Sequence, residues 1–425
     1  VLNYRTDTIF SSIKIGCVYF EPTSVDPKSE FERVGMVIEA HDFSRYTPYP
    51  NVQTLSEWLK ESHRLTLRIL DALKPGQENV LYSPTLNPPY WEFGHIAWFH
   101  ELWVHRLGNF SNLSILNQAD QLFNSAIVPH RDRWQLEIPH ISCIRAYLET
   151  MYQKTQDKLQ SSLSEQEAYY VQLVIFHQDM HNEAFAYMWQ ALGYPWFGGS
   201  ETDNEPPNTS NSFLTGELGY QSEDILVASG SLILGAEPNS GFIFDNEKWS
   251  HVVHVPEFQI ASLPVLNADY LEYVEHQLQV GDVHKKPAYW KKDSGHWYER
   301  HFEQWQEIDL ARPVRHISQL AAQDYCHWAR RRLPTEYELF GLMNQPSTQW
   351  QPAGLWEWTG SIFAPFAGFS TDPYVEYSKP WFDGNYCVLK GFSAFTSPRL
   401  RRTGFRNFYD PDRFDMFCGF RTCAL

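Results

Sequence analysis

The sequence has no run of 18 apolar residues, so nothing in it reads as a membrane-spanning helix. It has no block of lysine and arginine. Only Arg330-Arg331-Arg332 and the stretch from Arg399 to Arg406 are locally basic, against a net charge of −17. Nucleic acid is therefore not an expected partner. There is no Cys-x-x-Cys pair. The six cysteines (Cys17, Cys143, Cys326, Cys387, Cys418, Cys423) are scattered, which fits a reducing compartment better than a disulfide framework. The first residues lack a charged segment followed by an apolar one, so no secretory signal is read. A cytoplasmic location is expected, although the sequence begins with Val rather than Met.

What is abundant is aromatic. Aromatic residues make up 16% of the 425 residues, with 16 tryptophans, which favours aromatic-lined clefts or heavy cores. The length suggests two or three domains. The segment from Tyr169 to Tyr194 is the most informative. Leu173, His177, Met180, His181, Ala184 and Met188 fall within about 80° of one another at helical spacing. His177 and His181 therefore project one turn apart from an apolar face. Gly193 and Pro195 end the helix. Two imidazoles so placed need polar partners. A shared metal ion is one solution, and hydrogen-bonding neighbours are another. Glu183 lies about 160° round the helix from His181, so it is expected to support or cap rather than to bind a metal.

Three further helices precede this one. The pattern Leu55, Trp58, Leu59, Leu65, Ile69 predicts a helix over 54–73, with Asn51 or Thr54 as cap. A second runs over 90–106, with Asn87 as cap and Pro88 at its first position. On it His95 shares a face with Trp91, Trp98 and Leu102, while His100 and His105 point elsewhere. Gly94 would let a neighbour come close. A third helix is predicted over 142–163, and Ser164 caps the fourth. The result is a four-helix bundle with His95, His177 and His181 directed at its centre.

Residues 1–50 read as an extension packed on the body and 197–223 as a linker rich in Gly, Ser, Asn and Pro. From Asp224 the texture changes to short apolar runs and frequent turns, with helices expected over 267–279 and 317–331. The whole is read as α+β, a bundle over 51–196 followed by a loop-rich domain over 224–425.

The chain resembles the EgtB type of ergothioneine-biosynthesis sulfoxide synthases. Gly94-His95 and His177-x3-His181-x-Glu183 resemble their DinB-like bundle. Phe244-Asp245-Asn246-Glu247, Arg332–Glu338, Leu355–Thr359, Leu389–Ser393, Phe405–Phe408 and Gly419-Phe420-Arg421 resemble their formylglycine-generating-enzyme-like (C-type-lectin-like) domain. The resemblance implies Fe(II) held by His95, His177 and His181. It implies O2 as co-substrate and hercynine as acceptor, with sulfur or selenium joined to the imidazole C2. It places substrate near Asn407, Phe408, Tyr409, Arg413 and Trp358, with Trp358 and Phe408 as candidate faces for the quaternary ammonium. A catalytic tyrosine is expected after the Trp-Glu-Trp-Thr run, where Tyr374 and Tyr377 are available.

Two departures bear on the donor. Relatives often have Gln where this chain has Met180. Those that use γ-glutamylcysteine have Asp where it has Tyr409. Asn87–His95 and Phe417–Cys423 look most like the selenoneine synthase branch, SenA, which takes a selenosugar. Two readings of other classes remain: a zinc-dependent DinB-type thiol transferase, and a binding protein whose histidines are structural.

Overall fold

A computed structural model of the chain describes residues 41–198, 222–281, 286–345, 350 and 352–425. Most of the predicted linker and residues 1–40 of the extension lie outside the described residues. Four long helical segments form the first half: α1 (Val52–Ala72), α2 (Pro89–His100, continued by a π-helical turn over Glu101–His105), α4 (Ile141–Lys158) and α5 (Glu165–Leu192). A short helix, α3 (Ala119–Phe123), lies in the connection between α2 and α4. α1 packs on α4 and α5, and α2 packs on α4 and α5.

The ends of α5 follow local chemistry. Ser164 and Glu167 form a reciprocal capping box, and Gly193 closes the helix at φ +67. α1 starts at Asn51, whose side chain accepts from Thr54 N. The start of α2 differs from expectation. Pro88 is the cap and supplies no side-chain bond. The Asn87 amide instead donates to Glu92 at 2.8 Å and accepts from Arg133 at 2.7 Å. A buried carboxylate at Glu92 competes successfully for that side chain. α4 ends at Lys158, short of the predicted 163.

The second half is strand-containing and irregular, which makes the chain α+β. Its central sheet has the order β10 (Asn407–Tyr409), β9 (Cys387–Gly391), β8 (Trp356–Ile362), β11 (Cys418–Gly419). β11 runs parallel to β8 and the other pairs are antiparallel. The other strands form two antiparallel pairs, β1 (Asp224–Val227) with β4 (Phe258–Ala261) and β2 (Gly230–Leu234) with β3 (His251–Val255), and an antiparallel meander of β5 (Trp290–Asp293), β6 (His296–His301) and β7 (Gln304–Glu307). α6 (Asn267–Gln279) matches its predicted span, and α7 (Gln319–Ala329) lies inside its own. α8 (Glu336–Met343) was not predicted as a helix, although Thr335 and Glu338 of the quoted run form its capping box. Residues 41–50 pack on the body as expected. Tyr46 is buried, and its hydroxyl and the buried Lys248 ammonium both donate to Asp372. Phe197 is also buried, so the packed body reaches into the stretch read as linker. Among the described residues no helix is long and apolar enough to cross a membrane.

One consequence of the bundle's packing is acid sensitivity. Burial, reinforced by the Arg145 charge, lowers His63 to about 4. Burial, then Lys154 and Lys158, lowers His105 to about 4, and burial lowers His100 to about 3. The unfolded chain takes up these protons near pH 6.5, before the folded one does. Their contribution is thus complete above pH 6.5 and is lost as pH falls towards 4, at up to about 1.4 kcal/mol per pH unit for each histidine. Urea unfolding of metal-free protein should show stability falling across that window, and His100→Phe should flatten the slope. A pH-independent midpoint from 7 to 5 would contradict this.

Candidate metal centre and substrate face

The three histidines meet. One nitrogen from each of His95, His177 and His181 lies within 4.8 Å of the others. His177 Nε2 and His181 Nε2 are 3.2 Å apart. His95 and His177 are buried, and His181 is half-buried.

The helices also fix how the rings are presented. Gly94 packs against Phe123 so closely that a Cβ there would lie 2.2 Å from the phenyl ring. This approach brings the Phe123 carbonyl within 2.7 Å of His95 Nδ1. His181 Nδ1 lies 2.8 Å from Glu92 Oε1. A carbonyl and a carboxylate only accept, so both Nδ1 atoms carry protons, and in the neutral ring form Nε2 is the atom left to bind a metal. Burial would raise Glu92, but hydrogen bonds from His181 and Asn87 and the Arg133 charge hold its carboxyl below the usual range. Burial, then the neighbouring His181, pushes His95 well below the ordinary imidazole value, and the same causes together with His95 act on His177. The three ring nitrogens converge on one point, where a bound cation would be held by all of them. These residues fit a metal ion held by three nitrogens, with outer partners of the kind that orient metal-binding histidines.

An aromatic wall covers the centre. Phe99 stacks on His177 at 3.6 Å. Tyr374 stands edge-on to His177 with centroids 6.3 Å apart, packed on Phe99 at 4.9 Å. Burial and the Glu376 charge raise the Tyr374 phenol well above its ordinary value. Tyr377 stacks on Phe244 at 4.3 Å, and its hydroxyl reaches Met180 Sδ at 3.7 Å. Phe408 lies 6.3 Å from Tyr377 and stacks on Phe363 at 3.9 Å. Asn407, in β10, turns its side-chain oxygen to the Phe408 N–H at 3.0 Å.

Arg413 and Tyr409 lie against Tyr187, farther along α5. The guanidinium sits 4.4 Å from the Tyr409 ring centroid and 5.2 Å from that of Tyr187. It is bound bidentately by Asp415 at 2.8 and 3.1 Å and donates to the Thr85 carbonyl at 3.1 Å. Its charge is therefore neutralised within the protein. Trp358 departs from expectation. It is 0% exposed, and its indole donates to the Ile317 carbonyl at 2.7 Å within the sheet's core, so it offers no free face.

The sequence did not assign Glu92, Asn87, Arg133 or Phe99 to the site. Glu92 carried a signal, since Glu-x-x-His places it one turn before His95 on the same helix face. Glu183 neither caps a helix nor touches a histidine. It accepts from Trp356 Nε1 at 2.8 Å, Ser393 Oγ at 2.5 Å and Thr396 Oγ1 at 3.0 Å, tying α5 to the second half two residues beyond His181.

Comparison with known proteins agrees with both halves. Residues 58–184 match the model of the DinB superfamily, and residues 214–340 match that of the sulfatase-modifying factor enzyme 1-like domain. "Hercynine oxygenase" of Mycolicibacterium smegmatis is 29% identical over 87% of this chain and 98% of its own length. "Hercynine oxygenase" of Mycobacterium tuberculosis is 28% identical over 85% and 96%. "Ergothioneine biosynthesis protein 1" of Schizosaccharomyces pombe is 28% identical over 40% of this chain and 26% of its own. With a histidine-bearing helical domain, a strand-containing domain of the sulfatase-modifying-factor type and full-length relatives of this kind, the chain belongs to the EgtB family.

Proposed function

We propose that this protein acts on hercynine. It joins a selenium or sulfur donor to the imidazole C2 with O2 as co-substrate and Fe(II) held by His95, His177 and His181. The reading rests above all on the three converging imidazoles, two of them with Nδ1 engaged by Phe123 O and Glu92. The end-to-end similarity to hercynine oxygenases supports it. Fe(II), when bound, supplies the O2 chemistry, and three nitrogen ligands leave positions open for it.

The chain's own residues bind, orient and hold protons. Phe408 and its neighbours Tyr377 and Phe363 form an aromatic patch suited to a quaternary ammonium. Tyr374 and Phe99 keep water from the His177 side. The buried Tyr374 phenol stays protonated and can donate that proton to a substrate atom. Tyr377 borders the same space through Met180. Asn407, Tyr409 and Tyr187 offer hydrogen bonds to polar groups of the donor.

The donor in this reading is a selenosugar, as in the SenA branch. An amino-acid donor such as cysteine or γ-glutamylcysteine brings an ammonium that needs a carboxylate. Asp415 is already committed to Arg413, while Asp410 and Asp412 are exposed. A sugar brings hydroxyls, which phenols can satisfy.

The test is a direct competition for hercynine under O2 after anaerobic loading with Fe(II), with products resolved by mass. A seleno- or thio-sugar should exceed γ-glutamylcysteine by at least about tenfold in kcat/KM, equivalent to about 1.4 kcal/mol. Equal or better use of γ-glutamylcysteine would return the chain to ergothioneine synthesis. Zinc in the purified protein with O2-independent thiol transfer would replace the oxygenase reading. The cytoplasm, a reducing compartment, suits the scattered thiols and is the proposed location.

A further inference from the structure

A cavity opens on the other side of α5, away from the histidines. It has a volume of about 580 Å³ and lies between α1, α5 and the loop over 394–401. Asp179 and Asn182 line it, on the helix face turned from His177 and His181. Four arginines reach it: Arg64, Arg68, Arg399 and Arg401. In a chain of net charge −17 this convergence needs a reason.

The two carboxylates at the cavity, Asp179 and Glu61, contact neither Arg68 nor Arg401. Arg399 takes both, Asp179 at 2.5 and 3.4 Å and Glu61 at 3.0 Å. Arg401 is exposed at the rim; it donates to the carbonyl oxygens of Thr396 at 2.8 Å and Ala394 at 3.1 Å and lies 5.2 Å over the Phe392 ring, and the Glu183 charge acts on it without an ion-pair contact. Arg68 is half-buried and has no hydrogen bond or ion pair with the described residues. Beside these charges the wall is aromatic. Trp196 packs on Phe395 at 5.3 Å, and its buried indole N–H has no acceptor among the described residues.

We infer that this cavity binds a small organic anion, a phosphate ester or a carboxylate with an apolar body. Arg68 and Arg401 receive the anionic group, and the Trp196–Phe395 wall receives the body. Guanidinium groups recognise both anions with paired N–H donors, and the partly enclosed position strengthens them relative to open water. The site is separate from the histidine centre and does not depend on the function proposed for it.

The test uses the full chain with phenyl phosphate, benzoate and inorganic phosphate as probes, by titration calorimetry and thermal shift. An organic anion should bind the wild-type protein and raise its melting temperature, and the better of phenyl phosphate and benzoate names the anionic group. Arg68→Gln breaks no bond of the described structure, so it should fold normally. It should weaken binding at least about tenfold, or about 1.4 kcal/mol, with metal content unchanged. Arg68→Gln combined with Arg401→Gln should abolish binding. No binding of either organic anion, unchanged affinity in Arg68→Gln, or inorganic phosphate bound as tightly as phenyl phosphate would each overturn the assignment.

Discussion

Replacement of His177 by alanine is expected to strip the metal from the protein while leaving the bundle folded. His177 supplies the nitrogen 3.2 Å from that of His181, so its loss removes one of the three proposed donors found among the described residues. Changing an outer partner of a metal-binding histidine costs about 10–100-fold in affinity, and losing the ligand itself should cost more than about 100-fold. The fold should survive, because His177 Nδ1 has no hydrogen bond to lose among the described residues and the ring is one element of a large aromatic cluster. The measurement is iron content after anaerobic reconstitution, read beside thermal unfolding. Glu92→Gln provides the graded comparison. Glutamine keeps an acceptor for His181 Nδ1 but removes the charge, so affinity should fall within the 10–100-fold range. Stoichiometric iron in His177→Ala would show that the cluster is a set of structural histidines.

The second large effect is on stability and lies far from the histidines. Glu336→Ala should destabilise the protein by about 3–5 kcal/mol, because it leaves a buried charge without its partner. Glu336 binds Arg406 through two bonds, Nε at 2.7 Å and Nη2 at 3.0 Å, and both side chains are nearly inaccessible. Arg406 also donates to the carbonyls of Asn246 and Ala364 and lies 3.9 Å over the Phe366 ring. The orphaned guanidinium would be only 2% exposed, so water is a poor substitute for the lost carboxylate. The double variant Arg406→Met with Glu336→Leu should recover much of the loss, since two apolar groups need no partners. Urea unfolding of the three proteins decides it. A loss below about 1 kcal/mol in Glu336→Ala would mean that the guanidinium finds new acceptors.

This pair also explains part of the resemblance read from sequence. The runs containing Arg332, Glu336, Arg406 and Arg421 hold the second domain together. Arg332 binds Glu338, and Arg421 binds Glu357 at 2.5 and 2.9 Å. These pairs build a scaffold, on which β10 carries Asn407, Phe408 and Tyr409.

The sequence by itself determined the helices of the bundle, the shared face of His177 and His181, and the inward face of His95. It also showed that Gly94 admits a close neighbour. These follow from the 3.6-residue period, from capping residues and from glycine's missing side chain, all of which act within a few positions along the chain. Only the tertiary structure decided which groups complete each charge and each ring. The Phe123 carbonyl that fixes His95 comes from the far side of a connection whose path has no period to read. Glu183 meets Trp356, Ser393 and Thr396 across more than 170 positions. Trp358 turns into the sheet, not toward substrate, because its indole finds the Ile317 carbonyl there. Arg413 loses its free charge to Asp415, only two residues away, yet spacing alone did not reveal it. Whether two such side chains pair depends on how deeply the fold buries them, since a buried guanidinium must have a partner and an exposed one need not.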